Sequence, residues 1–97
     1  MDIEFWDKSL SLIETDRASE TKLPALVINS FRDKMVVLRA APDERTLRNW
    51  KSLHYEKLKG QEGERSIRLN KQWRVVFLIE TGCKPNKIKV LRVEDYH

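Results

Sequence analysis

The chain has 97 residues, 40% of them hydrophobic and 35% charged, which suits one soluble domain over residues 1–97 and excludes a disordered chain. No apolar run approaches the roughly 20 residues of a membrane span, and the acidic start, with Asp2 and Glu4, predicts no secretory signal. One cysteine and two histidines are too few for a zinc site or an internal disulfide, which favours a cytoplasmic location.

The positive charge is concentrated in the second half of the chain. The net charge is +4, yet residues 1–50 contain eight basic and nine acidic side chains, whereas residues 51–97 contain eleven basic and six acidic ones. Such an excess is typical of a surface that meets a polyanion or an acidic partner. It is equally compatible with a solvated surface that only keeps the domain soluble.

The first part of the chain predicts a short strand and a short helix. Residues 3–6 are β-prone and are expected to form an edge strand. Asp7 follows directly and is positioned to cap a short helix over residues 8–15. The polar segment 16–21 is predicted to be a loop.

The strongest helical signal covers residues 24–41. Proline suits the first turn of a helix, where its missing N–H costs no hydrogen bond. Apolar residues recur at steps of three and four, which is typical of one buried helix face, and they comprise Leu23, Val27, Phe31, Met35 and Leu38. Pro42 ends this helix, and Asp43 is expected to cap one further turn, through Trp50, with Leu47 and Trp50 three residues apart.

After Gly63 the apolar period changes to two, which predicts strands over residues 65–70, 73–80 and 87–94. The third strand switches its apolar face between Val90 and Leu91, as a bulge would require.

The first two strands are close enough for a tight turn of three residues. In that register Ile67 pairs with Val75 towards the core, and Arg68 faces Arg74 on the opposite side. Like charges opposed in a sheet cost a few tenths of a kcal/mol or more, so this pair invites an anion. The element order predicts an α+β fold, with the N-terminal strand and the helices packed on one face of a small antiparallel sheet.

Several segments resemble the HigB-type toxins, the killer proteins of plasmid maintenance systems, which belong to the RelE superfamily. The resemblance covers residues 20–97 and is weaker upstream, at Leu23-Pro24 and Leu38-Arg39-Ala40-Ala41. Its specific part is the terminal Asp-Tyr-His that follows two arginine-bearing strands. The segments are Leu58-Lys59-Gly60, Ser66-Ile67-Arg68-Leu69-Asn70, Gln72-Trp73-Arg74-Val75-Val76-Phe77 and Val93-Glu94-Asp95-Tyr96-His97.

The resemblance implies a RelE-like fold and a ribosome-dependent mRNA endoribonuclease that uses no metal or other cofactor. In such enzymes the RNA 2′-hydroxyl attacks the adjacent phosphate. The implied partners are the ribosome, mRNA and a HigA-like helix-turn-helix antitoxin, and operator DNA is reached only through the antitoxin complex. No membrane partner is implied, and the location is the cytoplasm.

Cleavage of this kind requires two proton transfers and stabilisation of a dianionic phosphorane. Histidine suits the proton transfers because its ordinary pKa is about 6.5, and the planar fork of arginine matches two phosphate oxygens. The expected catalytic residues are His97 for proton transfer, Asp95 to orient it, Tyr96 to stack or donate, Arg74 and Lys59 as positive charges, and His54. The expected RNA contacts are Arg68, Lys57 and Lys71, whereas Lys8, Lys22 and Lys34 of the first half are expected to contribute less.

Each of these side chains also has a purely structural interpretation. A C-terminal histidine is often frayed, Arg74 is able to pair with Glu80 or Glu94, and surface lysines often serve solubility alone. Two other functions therefore stay open. One is a non-catalytic gyrase poison of the same superfamily fold, and the other is a plain RNA-binding module, which the lack of an aromatic row on one strand disfavours.

Overall fold

The computed structural model of the protein describes residues 1–59, 62–82 and 84–96. Within these residues the chain forms a five-stranded mixed sheet in the order β1-β5-β4-β3-β2. The strands are Asp2–Phe5 (β1), Glu56–Lys57 (β2), Arg65–Arg68 (β3), Trp73–Glu80 (β4) and Lys87–Asp95 (β5). The predicted α+β class is confirmed. The sheet is mixed rather than antiparallel, because β1 runs parallel to β5 at one edge. The strand at the other edge, β2, was not predicted and pairs antiparallel with β3.

Two α-helices, Ala25–Ala40 (α1) and Glu44–Asn49 (α2), are joined by a short connection at Pro42. Helix α1 buries the predicted face, since Val27, Phe31, Met35 and Leu38 are almost completely inaccessible. These side chains pack with Ile67, Val75 and Phe77 of the sheet in one core. None of the helices in the described ranges is long and apolar enough to cross a membrane.

The remaining helical segments are 3-10 turns. The segment Lys8–Glu14 is capped by Asp7, whose carboxylate accepts the Ser9 N–H at 2.9 Å, as expected. The prediction of a loop over residues 16–21 is wrong in part, because Ala18–Thr21 forms a further 3-10 turn. The Thr21 hydroxyl donates to the Ala18 carbonyl at 2.7 Å and helps to close this turn.

The second α-helix leads the chain to the sheet. Asp43 caps it by accepting the Thr46 N–H at 3.0 Å, and Leu47 is buried. Trp50 is 46% exposed and lies outside the core. After a 3-10 turn over Lys51–Leu53, the chain reaches His54, whose φ of 49° lies in the left-handed region.

The register of the arginine strands is the predicted one. Ile67 pairs with Val75, and Arg68 pairs with Arg74. The bulge is also confirmed, because Val76 pairs with Arg92 whereas Phe77 pairs with Val90, which leaves Leu91 as the extra residue. The bulge keeps Val90 in the core and turns Arg92 to the opposite face of the sheet.

Candidate active site

The sheet face opposite the helices, the open face, carries the polar side chains of the central strands. Successive side chains of a strand point to opposite faces of the sheet, so the neighbours of the core residues lie on the open face. The segment before β3 lies against this face at Leu78, since a Cβ added at Gly63 would lie 3.5 Å from Leu78 Cδ2. The polar residues of this face are Ser66, Arg68, Arg74, Arg92 and Glu94.

Two arginines and a tyrosine meet on this face. The Cζ atoms of Arg68 and Arg74 lie 5.8 and 5.1 Å from the centroid of the Tyr96 ring. The Tyr96 backbone N–H donates to the Gln72 carbonyl at 3.0 Å, which holds the ring beside the β3–β4 hairpin. Cation–π attraction draws both guanidinium groups to the Tyr96 ring, and this eases the repulsion of the opposed like charges.

A small cavity lies beside this pair and is called the arginine cavity. Its volume is about 90 Å³, and its lining residues are His54, Glu56, Ser66, Arg68, Arg74 and Tyr96. His54 is exposed, and its left-handed backbone is uncommon for a residue with a Cβ. Four side chains predicted for the site, His54, Arg68, Arg74 and Tyr96, are therefore brought together here.

Carboxylates connect the arginines of the open face. Arg74 Nε donates to Glu94 Oε1 at 2.7 Å, Arg74 Nη2 lies 2.7 Å from the same oxygen in an ion pair, and Arg92 Nε donates to Glu94 Oε2 at 3.0 Å. The other end of Arg92 binds Glu64 with two parallel contacts of 3.1 and 2.8 Å. Burial tends to raise the pKa of Glu94, but the hydrogen bonds from Arg92 and Arg74 outweigh it and hold that pKa below its ordinary value. The hydrogen bonds that Arg92 donates to Glu64 and Glu94 raise the pKa of Arg92.

A second cluster holds the chain around His54. The Tyr55 hydroxyl donates to Glu44 Oε2 at 2.8 Å, and Arg65 Nε donates to the same oxygen at 3.3 Å. Burial and the hydrogen bond to Glu44 raise the pKa of Tyr55 to about 12. This cluster joins α2, the His54 turn and β3, so it positions His54 beside the arginines.

The predicted lysines lie on two sides of the arginine cavity. Lys57 and Lys59 are exposed and line a shallow groove that also includes Arg74 and Arg92. Lys71 is exposed in the β3–β4 turn, on the side of Arg68.

Asp95 is directed away from the arginine pair. It is paired with Trp73 across the strands, and its carboxylate accepts the Gln72 side-chain N–H at 2.6 Å. His97, the residue that Asp95 was expected to orient, lies outside the described residues, so this pairing stays a prediction. Among the described residues, no group of three or more His, Cys, Asp or Glu side chains is arranged to hold a metal ion.

A family model describing the RelE-like toxin of the type II toxin-antitoxin system HigB matches residues 3–96. The chain belongs to the HigB-like toxin family. It is similar to Toxin HigB-1 of Vibrio cholerae serotype O1, with 36% identity over 87 residues that cover 89% of this chain and 92% of the relative. Its fold is similar to that of a YoeB/ParE toxin from Agrobacterium tumefaciens, with a TM-score of 0.56, 18% identity and full coverage of both chains.

The family assignment confirms the resemblance read from the strand motifs, and a toxin of this type has an antitoxin as its partner. Sequence reasoning missed three polar residues of this HigB-like toxin's open face. Glu56 lies on strand β2, which was not predicted. Arg92 and Glu64 form an ion pair with two parallel hydrogen bonds beside the site. The signal for Arg92 was present, since strand alternation puts residue 92 on the same face as Glu94, and the predicted bulge after Val90 lets Val90 stay in the core.

Proposed function

We propose that this HigB-like toxin is a ribosome-dependent mRNA endoribonuclease that cleaves by attack of the RNA 2′-hydroxyl on the adjacent phosphate, with no metal. The observation that carries the proposal is the convergence of Arg68, Arg74, Tyr96 and His54 around one cavity. Positive charge, a stacking ring and a proton-transfer group are the components that this reaction requires.

The arginine pair is proposed to hold the scissile phosphate and to stabilise the phosphorane. Each guanidinium has five N–H donors. Glu94 accepts the Nε–H of Arg74 and pairs with its Nη2, which leaves further donors of Arg74 for phosphate oxygens. Arg68 takes part in no ion pair among the described residues. Removal of one such donor typically costs about 3–4 kcal/mol of transition-state stabilisation.

Proton transfer is assigned to histidines. His54 lines the arginine cavity and is the described histidine nearest the reacting groups. His97 remains the proposed donor to the leaving 5′-oxygen, with Asp95 as its proposed orienting group. Lys59, in the neighbouring groove, is proposed as a mobile positive charge. Tyr96, whose ring lies beside both arginines, is proposed to stack on a base or to donate its hydroxyl.

The excess of basic residues after position 50 supports attachment to ribosomal RNA, with Lys57 and Lys71 as proposed phosphate contacts. We assign the activity to the cytoplasm, where mRNA is translated. The antitoxin is proposed to be a HigA-like helix-turn-helix protein, through which the complex reaches operator DNA.

The test is to express the wild-type chain and Arg74→Ala in growing cells and to map the 5′ ends of mRNA. Cleavage confined to translated frames is expected from the wild type, and a loss of about a hundredfold or more from the variant. Arg45→Ala, an exposed arginine on α2, is the matched control and should cleave normally. Growth arrest without new 5′ ends would contradict the proposal, and altered DNA supercoiling would then indicate a gyrase poison.

A further inference from the structure

A second cavity adjoins the arginine cavity on the side of helix α1. Its volume is about 220 Å³, and its polar lining comprises Lys34, Ser52, His54, Arg68, Asn70 and Lys71. We call it the lysine cavity. His54 and Arg68 line both cavities, so the two share a wall.

The tertiary packing of α1 brings Lys34 to this position. The Ser30 hydroxyl donates to the Leu69 carbonyl at 2.5 Å, which fastens the helix to the end of β3. Lys34 follows Ser30 by four residues and therefore lies on the same helix face, one turn further along. The side chain is half-buried beside the β3–β4 turn. Lys34 thus joins basic residues of the second half, a placement that differs from the expectation from charge distribution that Lys34 contributes little.

The lysine cavity is rich in positive charge. Among the described residues its lining contains no acidic side chain, whereas the arginine cavity includes Glu56. Across residues 1–59, 62–82 and 84–96, none of the ion pairs involves Lys34, Arg68 or Lys71. A concave surface with charge of one sign concentrates the field and attracts ions of the opposite sign.

Neutral donors complete the lining. Asn70 Oδ1 accepts the backbone N–H groups of Gln72 and Trp73, both at 2.8 Å, so the carboxamide nitrogen is the group that remains to donate to a ligand. Ser52 contributes a hydroxyl. The volume of about 220 Å³ is well above the roughly 10–15 Å³ that one water molecule needs, so the cavity has room for a phosphate group.

We propose that the lysine cavity is a second phosphate subsite, which binds the RNA backbone phosphate next to the one held in the arginine cavity. The inference rests on the proposed function, because it assigns a neighbouring part of the same substrate. The shared wall of His54 and Arg68 supplies a continuous path for one phosphodiester chain. Lys34 and Lys71 bind the flanking phosphate, and Arg68 lies between the two phosphates.

The test measures binding without cleavage. The probe is a fluorescein-labelled 2′-O-methyl hexanucleotide, which has no attacking hydroxyl, and anisotropy is followed over a series of salt concentrations. Lys34→Gln is expected to weaken binding about tenfold, the order of one charged hydrogen bond. It should also reduce the slope of log affinity against log salt by about 0.7, as for one phosphate contact on a single strand. Lys8→Gln, an exposed lysine remote from the cavity, is the control and should bind as the wild type does.

Two further probes identify the source of the anion. Inorganic phosphate and a hexaglutamate peptide are expected to compete only weakly, and without dependence on Lys34. Competition by either one that matches the RNA and disappears in Lys34→Gln would overturn the assignment to an RNA backbone.

The subsite is overturned if Lys34→Gln, with an unchanged melting temperature, binds the hexanucleotide with wild-type affinity and salt slope, or if the wild type shows no saturable binding. Failure of the proposed function is a separate result. In that case binding would depend on Lys34 while the wild-type chain produced no new mRNA 5′ ends in cells.

Discussion

Replacement of Glu94 by glutamine is expected to destabilise this toxin and to strengthen its binding to polyanions. The carboxylate accepts one hydrogen bond from Arg74 and one from Arg92, is in ion-pair contact with Arg74 Nη2, and its side chain is 28% exposed. Without the charge of this carboxylate, Arg74 loses its ion-pair partner beside the opposed Arg68, whereas Arg92 keeps the carboxylate of Glu64. The same change frees Arg74 donors for a phosphate.

The magnitude follows from the contacts. A hydrogen bond to a charged group contributes about 1.5–3 kcal/mol when it is shielded, and an exposed ion pair about 0.2–1 kcal/mol. Glu94 is intermediate in exposure, and glutamine keeps one acceptor oxygen, so the expected loss in the free energy of unfolding is about 1–2 kcal/mol. For a domain of this length, that corresponds to a fall of roughly 4–16 °C in Tm.

The effect has a defined pH dependence. Burial tends to raise the pKa of Glu94, but the hydrogen bonds from Arg92 and Arg74 set it below the ordinary value of 4.5. The stabilisation by the ionised group is therefore complete above that ordinary value and is lost as the pH falls through the lowered one. Wild type and variant should differ fully at neutral pH and converge in acid.

Urea denaturation followed by tryptophan fluorescence, at neutral and at acidic pH, measures the free energy of unfolding and its pH dependence. Glu80→Gln is the control, because its carboxylate lies 3.9 Å from Lys89 Nζ and is 42% exposed, so the change should be below about 0.5 kcal/mol. Equal unfolding free energies of wild type and Glu94→Gln at neutral pH would refute the reasoning. A difference that persists undiminished in acid would refute the ionised state as its cause.

Three other changes test the site. His54→Gly should keep or raise the melting temperature while impairing mRNA cleavage, since glycine adopts φ of 49° without the cost of a Cβ; a lower melting temperature would contradict this. Tyr55→Phe should lower the unfolding free energy by about 1 kcal/mol, because it removes the hydrogen bond to Glu44. An unchanged free energy in urea denaturation would show that this hydrogen bond does not stabilise the fold. Arg74→Lys should restore only part of the cleavage lost in Arg74→Ala, since lysine cannot bind two oxygens in one plane, and full recovery in the 5′-end assay would count against a bidentate contact.

The sequence by itself determined the local elements and the faces of the central strands. The period of two placed Ile67 and Val75 on one side and Arg68 and Arg74 on the other, and the short turn set their register. The buried face of α1 was equally predictable, because its apolar residues recur at steps of three and four. Such features depend on near neighbours in the chain, so the pattern of one short segment is sufficient to predict them.

Only the tertiary structure decided which distant segments meet. The parallel pairing of β1 with β5 and the addition of β2 at the other edge join segments that share no local signal. The bulge was predictable from the sequence. The ion pair of Arg92 with Glu64 was not, because it depends on the segment before β3 lying against the open face. Lys34 reaches the lysine cavity because α1 packs against the end of β3. The physical reason is that charge composition describes a segment, whereas the field at a site depends on which segments the core brings together.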